Sequence, residues 1–469
     1  MGVTEELAKL AIETRWEDIP DAAAESAKLR ILDMTGIALA GANQKSTLIA
    51  LDTARHIGGT GRASIIGHKD RTSSPLAAYV NATAAHAQEY DDYTKGVTHA
   101  SVVMVPGSLA YAEDRDLSGR DLMAGFITGF EVESRVARGI RPALLDRGWH
   151  PNAILGSIGV AVAGARMGGL NVGQTRMAIA VAASEGSGLR KNVGSMGKAF
   201  HVGHGAKCGV FATLLAERGY QMDPDIIEPS ETDVGGHEKF GLAVCFAGED
   251  GFDLSRMTEK LGKRWELAEN TTIVCFHPGS TAPASTIDAV LDVIAEHGIH
   301  ADDIERVHAE VTPQARAIAC YDEVADSYKA RYSLKWSIAV SLIDGKNGLA
   351  QYDQSRVDKG DVQPLMKKVD VDVPEDFAHH RGQWGVDGVN WAEMRIAFHL
   401  KDGRTINHAR SYARGWSEEP ATWDDIVGKF VDCSDGVISA DQRDDAIEMI
   451  ADLETLENVS QLMKALQPG

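Results

Sequence analysis

Residues 184–204 read SEGSGLRKNVGSMGKAFHVGH. The stretch holds five Gly, three cations (Arg190, Lys191, Lys198), two His (His201, His204) and no Pro. Glycine lets backbone N–H groups come close to a ligand. The 469-residue chain around it carries 47 Lys+Arg against 68 Asp+Glu, a formal net charge of -21. A basic, glycine-rich segment inside so acidic a chain points to a built site for a small anion. The plainer alternative is a connector with surface cations, and on this stretch alone the two weigh about equally. A P-loop is excluded: GSMGKAF lacks the Gly spacing and the Ser/Thr after Lys, and no strand with GxGxxG leads into it.

The acidic balance argues against nucleic acid and anionic membranes as partners, because both select a basic face. A site for an anionic substrate must then be a local positive pocket. Hydrophobic residues at 44% and charged residues at 25% fit a soluble globular protein. The length suggests at least two domains, at roughly 150 residues each. The five Cys (Cys208, Cys245, Cys275, Cys320, Cys433) are scattered and lack CxxC spacing. That pattern suggests reduced thiols in the cytoplasm and no metal framework. The start, MGVTEELAKL, lacks the apolar run of a signal peptide. No apolar run reaches the ~18 residues of a membrane span.

Helical spacing dominates both ends of the chain. Leu7, Leu10 and Ala11 form one stripe, and Ala27, Ile31, Met34 and Ala38 another. Residues 47–56 and 75–90 are predicted helices, with a short strand at 64–67 between them. From Ala153 to Leu170 small residues recur (Gly156, Gly159, Ala163), so a neighbouring helix can approach closely. Residues 206–265 are predicted mostly helical, with a loop at 229–238. Strands are predicted at 304–311, 368–373 and 394–400, with a turn at Lys401-Asp402-Gly403 and one helix near 334–343. Helical spacing returns from Trp423 to Leu466. The expected fold is mainly α. A large all-helical domain comes from residues 1–268 and 412–469, and a smaller α+β domain is inserted at 269–411.

Several segments together resemble the MmgE/PrpD family. SGLRKNVGSMGKAFHVG (187–203) is similar to its SGLRxNFGTMTKxxHxG. HAQEYDDYTKGVTH (86–99) is similar to HxxDFDDTxxxxxH, and GWHPNAILGSIGVAVAGARMGGL (148–170) to GWHPTxxxGxxGAAAAAxxLLGL. LRILDMTGIALAG (29–41) and KARYSLKWSIAVSLIDGKNGLAQY (329–352) also fall in the family's order. The resemblance spans nearly the whole chain. It implies a helical domain with a smaller α+β lid, a homodimer, a site between the domains, and no metal or organic cofactor. Known members include 2-methylcitrate dehydratase, cis-aconitate decarboxylase and iminodisuccinate epimerase. Each moves a proton at a carbon next to a carboxylate of a small di- or tricarboxylate.

Position by position, the resemblance assigns catalytic roles to Asp91, His99, His150 and Lys198, and it places Asp92, Arg190 and Lys191 around the substrate. Tyr93 and His277 stand where the chain departs from the family, and they are added as a catalytic and a substrate-binding candidate. Each has a plainer alternative: a solvated acidic turn for Asp91–Asp92, a turn residue for His99, a helix cap for His150, a surface cation for Lys198. His201 and His204 look more like packing residues than metal ligands. The departures also matter. Glu89 replaces an Asp, Tyr93 a Thr, and Ala100 a Pro. In VCFHPGSTAPASTIDA (274–289) the family's Lys is gone, and Ala282 and Ala284 stand where His is expected. His277 is the candidate replacement. Fewer cations there favour a substrate with fewer carboxylates. The leading expectation is therefore an epimerase or isomerase acting on a small dicarboxylate. A (de)hydratase comes second and a decarboxylase third. A helical scaffold, or a metal hydrolase using His86, Asp91, Asp92 and His99, are the readings from other classes.

Overall fold

A computed structural model describes residues 2–59, 61–230, 240–269, 271–279, 281–380 and 391–469, the side chains of 378–380 excepted. Helix accounts for 58% and strand for 8%, so the fold is mainly α. The helices used below are α1 (Asp21–Gly41), α2 (Ser74–His86), α3 (Ala100–Asp114), α4 (Gly119–Ile140), α5 (Pro151–Met167), α6 (Gly197–Glu217), α7 (Ala284–His297), α8 (Leu334–Asp344) and α9 (Trp423–Ser434). The chain divides into two compact units, Met1–Thr272 with Thr422–Gly469, and Ile273–Ala421.

In the first unit α5 is the hub, and its small residues explain why. A Cβ added at Gly156 would lie 2.6 Å from Val103 of α3. One at Gly159 would lie 2.5 Å from Met104 Sδ and 2.7 Å from Glu133 Oε2 of α4. From the other side, a Cβ at Gly209 of α6 would stand 2.5 Å from Val160 Cβ and 2.7 Å from the Ser157 carbonyl. Three helices thus approach α5 almost backbone to backbone. The ends are set locally. Pro151 opens α5 at a position where its missing N–H costs nothing. Ser118 with Asp121, and Thr422 with Asp425, form reciprocal capping boxes at α4 and α9.

The second unit holds a four-stranded sheet. Strand β1 (Ile304–Val311) pairs in parallel with β2 (Val369–Asp372) and antiparallel with β3 (Met394–Leu400). Strand β4 (Thr405–Arg410) is the antiparallel edge beyond β3. Met394, Ile396, Phe398 and Leu400 alternate inward against Val290 and Val293 of α7 and Trp336 and Val340 of α8 in one core.

Some predicted elements differ. The helix expected over 75–90 stops at His86, and the strand expected over 64–67 is a two-residue pairing of Ala63–Ser64 with Arg71–Thr72. Residues 206–265 are not mostly helical. Helix α6 ends at Glu217, Gly219 takes φ 81°, and only Leu242–Ala247 and Ser255–Thr258 are α-helical in the described part beyond. The loop expected at 229–238 lies outside the described residues from 231 onward. Helix α7 and strand β4 were not predicted.

Gly209→Val is expected to lower stability by about 1–3 kcal/mol, because a β-branched side chain there meets a backbone carbonyl that cannot yield. Denaturant unfolding checks this.

Candidate active site

The site grows from the loop between α2 and α3. His86 ends α2, and His99 is the N-cap of α3. Asp91 lies between them in sequence and joins them in space. Its Oδ1 accepts from His86 Nδ1 at 2.7 Å, and its Oδ2 lies 2.9 Å from His99 Nδ1. His99 Nδ1 also donates to the Asp92 carbonyl at 2.7 Å. A carbonyl only accepts, so Nδ1 of His99 carries a proton, and in the neutral ring Nε2 is left with the lone pair. His99 Nε2 makes no hydrogen bond among the described residues. Burial alone would raise the Asp91 carboxyl, but the two imidazoles outweigh it and hold it well below the ordinary carboxylate range.

The loop is fastened from below. Lys429 of α9 donates to the Tyr90 carbonyl at 2.9 Å, lies 4.0 Å from the Tyr90 ring centre, and pairs with Asp33 of α1 at 2.8 Å. Asp92 accepts from Ser101 Oγ at 2.5 Å and lies 3.7 Å from Arg30 Nε. Burial pushes the Asp92 carboxyl up to about 6, against the Arg30 charge. Tyr93 stands edge-on to His99, ring centres 5.3 Å apart, and its buried Oη has no hydrogen-bond partner among the described residues.

Two more cation carriers join this group. Lys198 is the second residue of α6, and its Nζ reaches Glu89 Oε2 at 3.0 Å. Glu89 takes φ 51°, a left-handed conformation uncommon outside Gly and Asn. His150 is the N-cap of α5, yet its side chain makes no capping bond. Instead its Nδ1 lies 3.0 Å from His201 Nδ1. Burial lowers the basicity of His150 well below the usual imidazole range. The charges of Lys198, His86, His201 and His99 lower it further, in that order. His150 is therefore neutral near pH 7. His99, His150 and Lys198 each open a long helix, where the backbone carries about half a positive charge. Three such ends and the Lys198 ammonium supply positive potential here, which the Glu89 and Asp91 carboxylates offset in part.

Asp91, Asp92, Tyr93, His99, His150 and Lys198 thus all belong to one cluster in the first unit. Arg190 and Lys191 occupy an exposed turn, and Arg190 is held by the Gly148 and Leu145 carbonyls at 2.8 and 3.3 Å. His277 belongs to the second unit. Both its ring nitrogens are engaged, by the Asn347 carbonyl and by Asp288 Oδ1, each at 2.9 Å, which leaves neither for a substrate. Among the described residues no group of three or more His, Cys, Asp or Glu has the geometry to hold a metal ion. His204 turns to Cys208 Sγ at 3.3 Å and away from His201. The sequence reading missed His86 as the second partner of Asp91, His201 as a partner of His150, and Glu133.

The MmgE/PrpD N-terminal domain model matches residues 5–237, and the MmgE/PrpD C-terminal domain model matches residues 277–455. The chain is 25% identical to the cis-aconitate decarboxylase of Mus musculus, over 99% of this chain and 93% of that protein. It is 24% identical to that of Homo sapiens, over 99% and 95%, and 23% identical to that of Aspergillus terreus, over 99% and 96%.

Glu133 lies behind Asp92, fully buried, with neither oxygen hydrogen-bonded among the described residues. Burial, and secondly the Asp92 charge, raise its carboxyl well above the ordinary range. A carboxyl raised on folding stabilises the fold at acid pH, and that contribution is lost as pH climbs towards the folded-state value. Glu133→Gln removes the loss. The variant is expected to exceed the parent in stability by about 1–3 kcal/mol at pH 8, and by almost nothing at pH 4. Urea midpoints at the two pH values check it.

Proposed function

The chain belongs to the MmgE/PrpD family, and on that footing we propose that it moves a proton at a carbon next to a carboxylate of a small di- or tricarboxylate. The observation that carries this reading is the Asp91–His99 pair, which leaves His99 Nε2 as a base of fixed tautomer. In the proposed reaction His99 removes the proton, and the electron pair spreads into the neighbouring carboxylate. Lys198 and the three helix ends stabilise that charge. His150 handles the proton on the other side, and the partnerless Tyr93 Oη donates to a substrate oxygen. Asp91 holds His99, and Asp92 lends it a carbonyl.

The two imidazoles hang from different supports, which favours epimerisation or isomerisation, where each face of one carbon needs its own base. A (de)hydratase uses the same start and then expels a hydroxide. Decarboxylation is favoured by a different observation, the full-length match to proteins that carry that name. There the lost CO₂ leaves the electron pair, and an imidazole delivers the proton. We also propose a homodimer in the cytoplasm. Leu189, Val193, Met196, Phe200 and Phe211 are exposed along one stretch, an apolar surface that suits a second copy. None of the five thiols forms a disulfide, as a reducing compartment would keep them.

Proton NMR in D₂O with iminodisuccinate, 2-methylcitrate and cis-aconitate tests the chemistry. Deuterium entry at an α-carbon with inversion and no loss of mass marks the epimerase. Loss of water marks the dehydratase, and CO₂ the decarboxylase. His99→Ala and Lys198→Ala are each expected to lower kcat/KM by at least about 10²-fold. Full activity in Lys198→Ala overturns the proposal. Light scattering is expected to give twice the chain mass, and the chain mass alone for Phe200→Asp/Phe211→Asp.

A further inference from the structure

Two imidazoles in this site are held in opposite ways. His99 is fixed by oxygen acceptors, so its Nδ1 proton has one place to be. His150 has no carboxylate on its ring. Its Nδ1 faces His201 Nδ1 at 3.0 Å, with ring centres 5.0 Å apart and planes at 44°. A hydrogen bond between two such nitrogens contains one proton, which belongs to one ring and is accepted by the other. Neither Nε2 makes a hydrogen bond among the described residues.

The pair is clamped. His201 follows Lys198 by one helical turn in α6 and is 2% exposed, and His150 is 6% exposed. Gly188 lies against both. Its carbonyl accepts from the His150 N–H at 2.9 Å, and a Cβ there would stand 3.4 Å from His201 Cγ. Its φ of 119° restricts the position to glycine. One turn on, a Cβ at Gly205 would stand 3.1 Å from Ala153 Cα and from the Asn152 carbonyl. Helices α5 and α6 are thus pressed together where the two rings meet, and the rings cannot drift apart.

We infer that His201 is the positioning residue of His150: it decides which nitrogen of His150 carries the proton, and it holds that proton while His150 works. The inference rests on the proposed role of His150 at the substrate. When His201 donates, His150 Nε2 carries a proton and is an acid. When His150 donates, its Nε2 has the lone pair and is a base. As base, His150 Nε2 takes a proton from the substrate carbon, whose bonding pair stays on the substrate. The Nδ1 proton of His150 passes to His201 Nδ1. His150 ends neutral with its tautomer reversed, and the positive charge rests on His201. The reverse step returns a proton to carbon and resets both rings. The charged or titratable neighbours that act on His150 are Lys198, His86, His201 and His99, and those that act on His201 are His204 and His86.

The test uses the full-length chain with 15N-labelled histidine and three variants. Asn at 201 presents an amide where Nδ1 was, and it can orient His150 but cannot take up a proton. Phe does neither. In the parent, the His150 ring is expected to stay neutral to well below pH 6.5. In His201→Asn its titration is expected to move up, because a neighbour able to carry like charge is gone. With whichever of iminodisuccinate, 2-methylcitrate or cis-aconitate turns over, His201→Phe is expected to lose about 10²-fold in kcat with KM within about threefold. His201→Asn is expected to recover about tenfold of that loss, with the acid limb of its pH profile moved up. A His150 titration indifferent to His201→Asn overturns the inference, with or without turnover and even if the Phe variant does not fold. So does full activity in His201→Phe. Full activity in His150→Ala sinks the role proposed for His150 at the substrate, a separate outcome from either.

Discussion

One buried carboxylate organises the site. Asp91 is fully enclosed, and an unpaired ion there would cost several kcal/mol. The His86 Nδ1–H bond offsets part of that cost, a charge-assisted bond contributing roughly 1.5–3 kcal/mol, and the His99 ring, 2.9 Å from Oδ2, adds an electrostatic attraction. The loop must therefore deliver His86 from the end of α2 and His99 from the start of α3 to the same side chain. That requirement fixes the path of residues 87–98. The Lys429 ammonium, from the far end of the chain, holds the loop at Tyr90. The same bonds that make Asp91 tolerable dictate the tautomer of His99. Stability and chemistry are here one constraint.

The second requirement is positive potential inside a chain of net charge -21. Local geometry wins over the total. Surface carboxylates are screened within about 8 Å in physiological salt, whereas buried charges are screened far less. The glycines of α5 and α6 shorten the distance between helix axes. Because the helices lie so close, His150 and Lys198 at their N-terminal ends come within electrostatic reach of each other. Larger residues at Gly205 or Gly209 would widen the crossing and dilute that field. The small-residue pattern is a packing device whose product is an electrostatic one.

Much of this was legible in the sequence where the cause is local. The helix around 153–170 showed in its small residues, strand β3 in its alternation, and the β3–β4 turn in Lys401-Asp402-Gly403. The mainly α class followed from such periodicity. Helix α7 was missed because SerThr-rich residues after Pro283 look like loop, and only its core contacts with the sheet make it a helix. The extension of helix beyond Glu217 failed because apolar composition continues past the stop at Gly219. In the site, His99 and Lys198 stood out through their settings. The His150–His201 pair did not, because the partners are 51 residues apart and helical spacing pointed His201 towards His204 instead. Lys429 and Asp33 are likewise joined only by the fold. Pairings between distant segments leave no trace in local pattern.

On the proposed reading, the two imidazoles also respond differently to a substrate. The orientation of His99 is set by Asp91 and the Asp92 carbonyl, partners that are always present. The basicity of His150 is depressed by burial and then by Lys198. An entering carboxylate that pairs with Lys198 cancels much of that second effect and adds an attraction of its own. One charge at about 4 Å is worth roughly 4 kcal/mol at an effective dielectric of 20, before desolvation is subtracted. The bound anion thus raises the basicity that burial and Lys198 had depressed in His150. A neutral analogue of the same shape would fill the space and leave His150 idle. Selection for a carboxylate beside the reacting carbon is then made in the protonation of His150 as well as in binding.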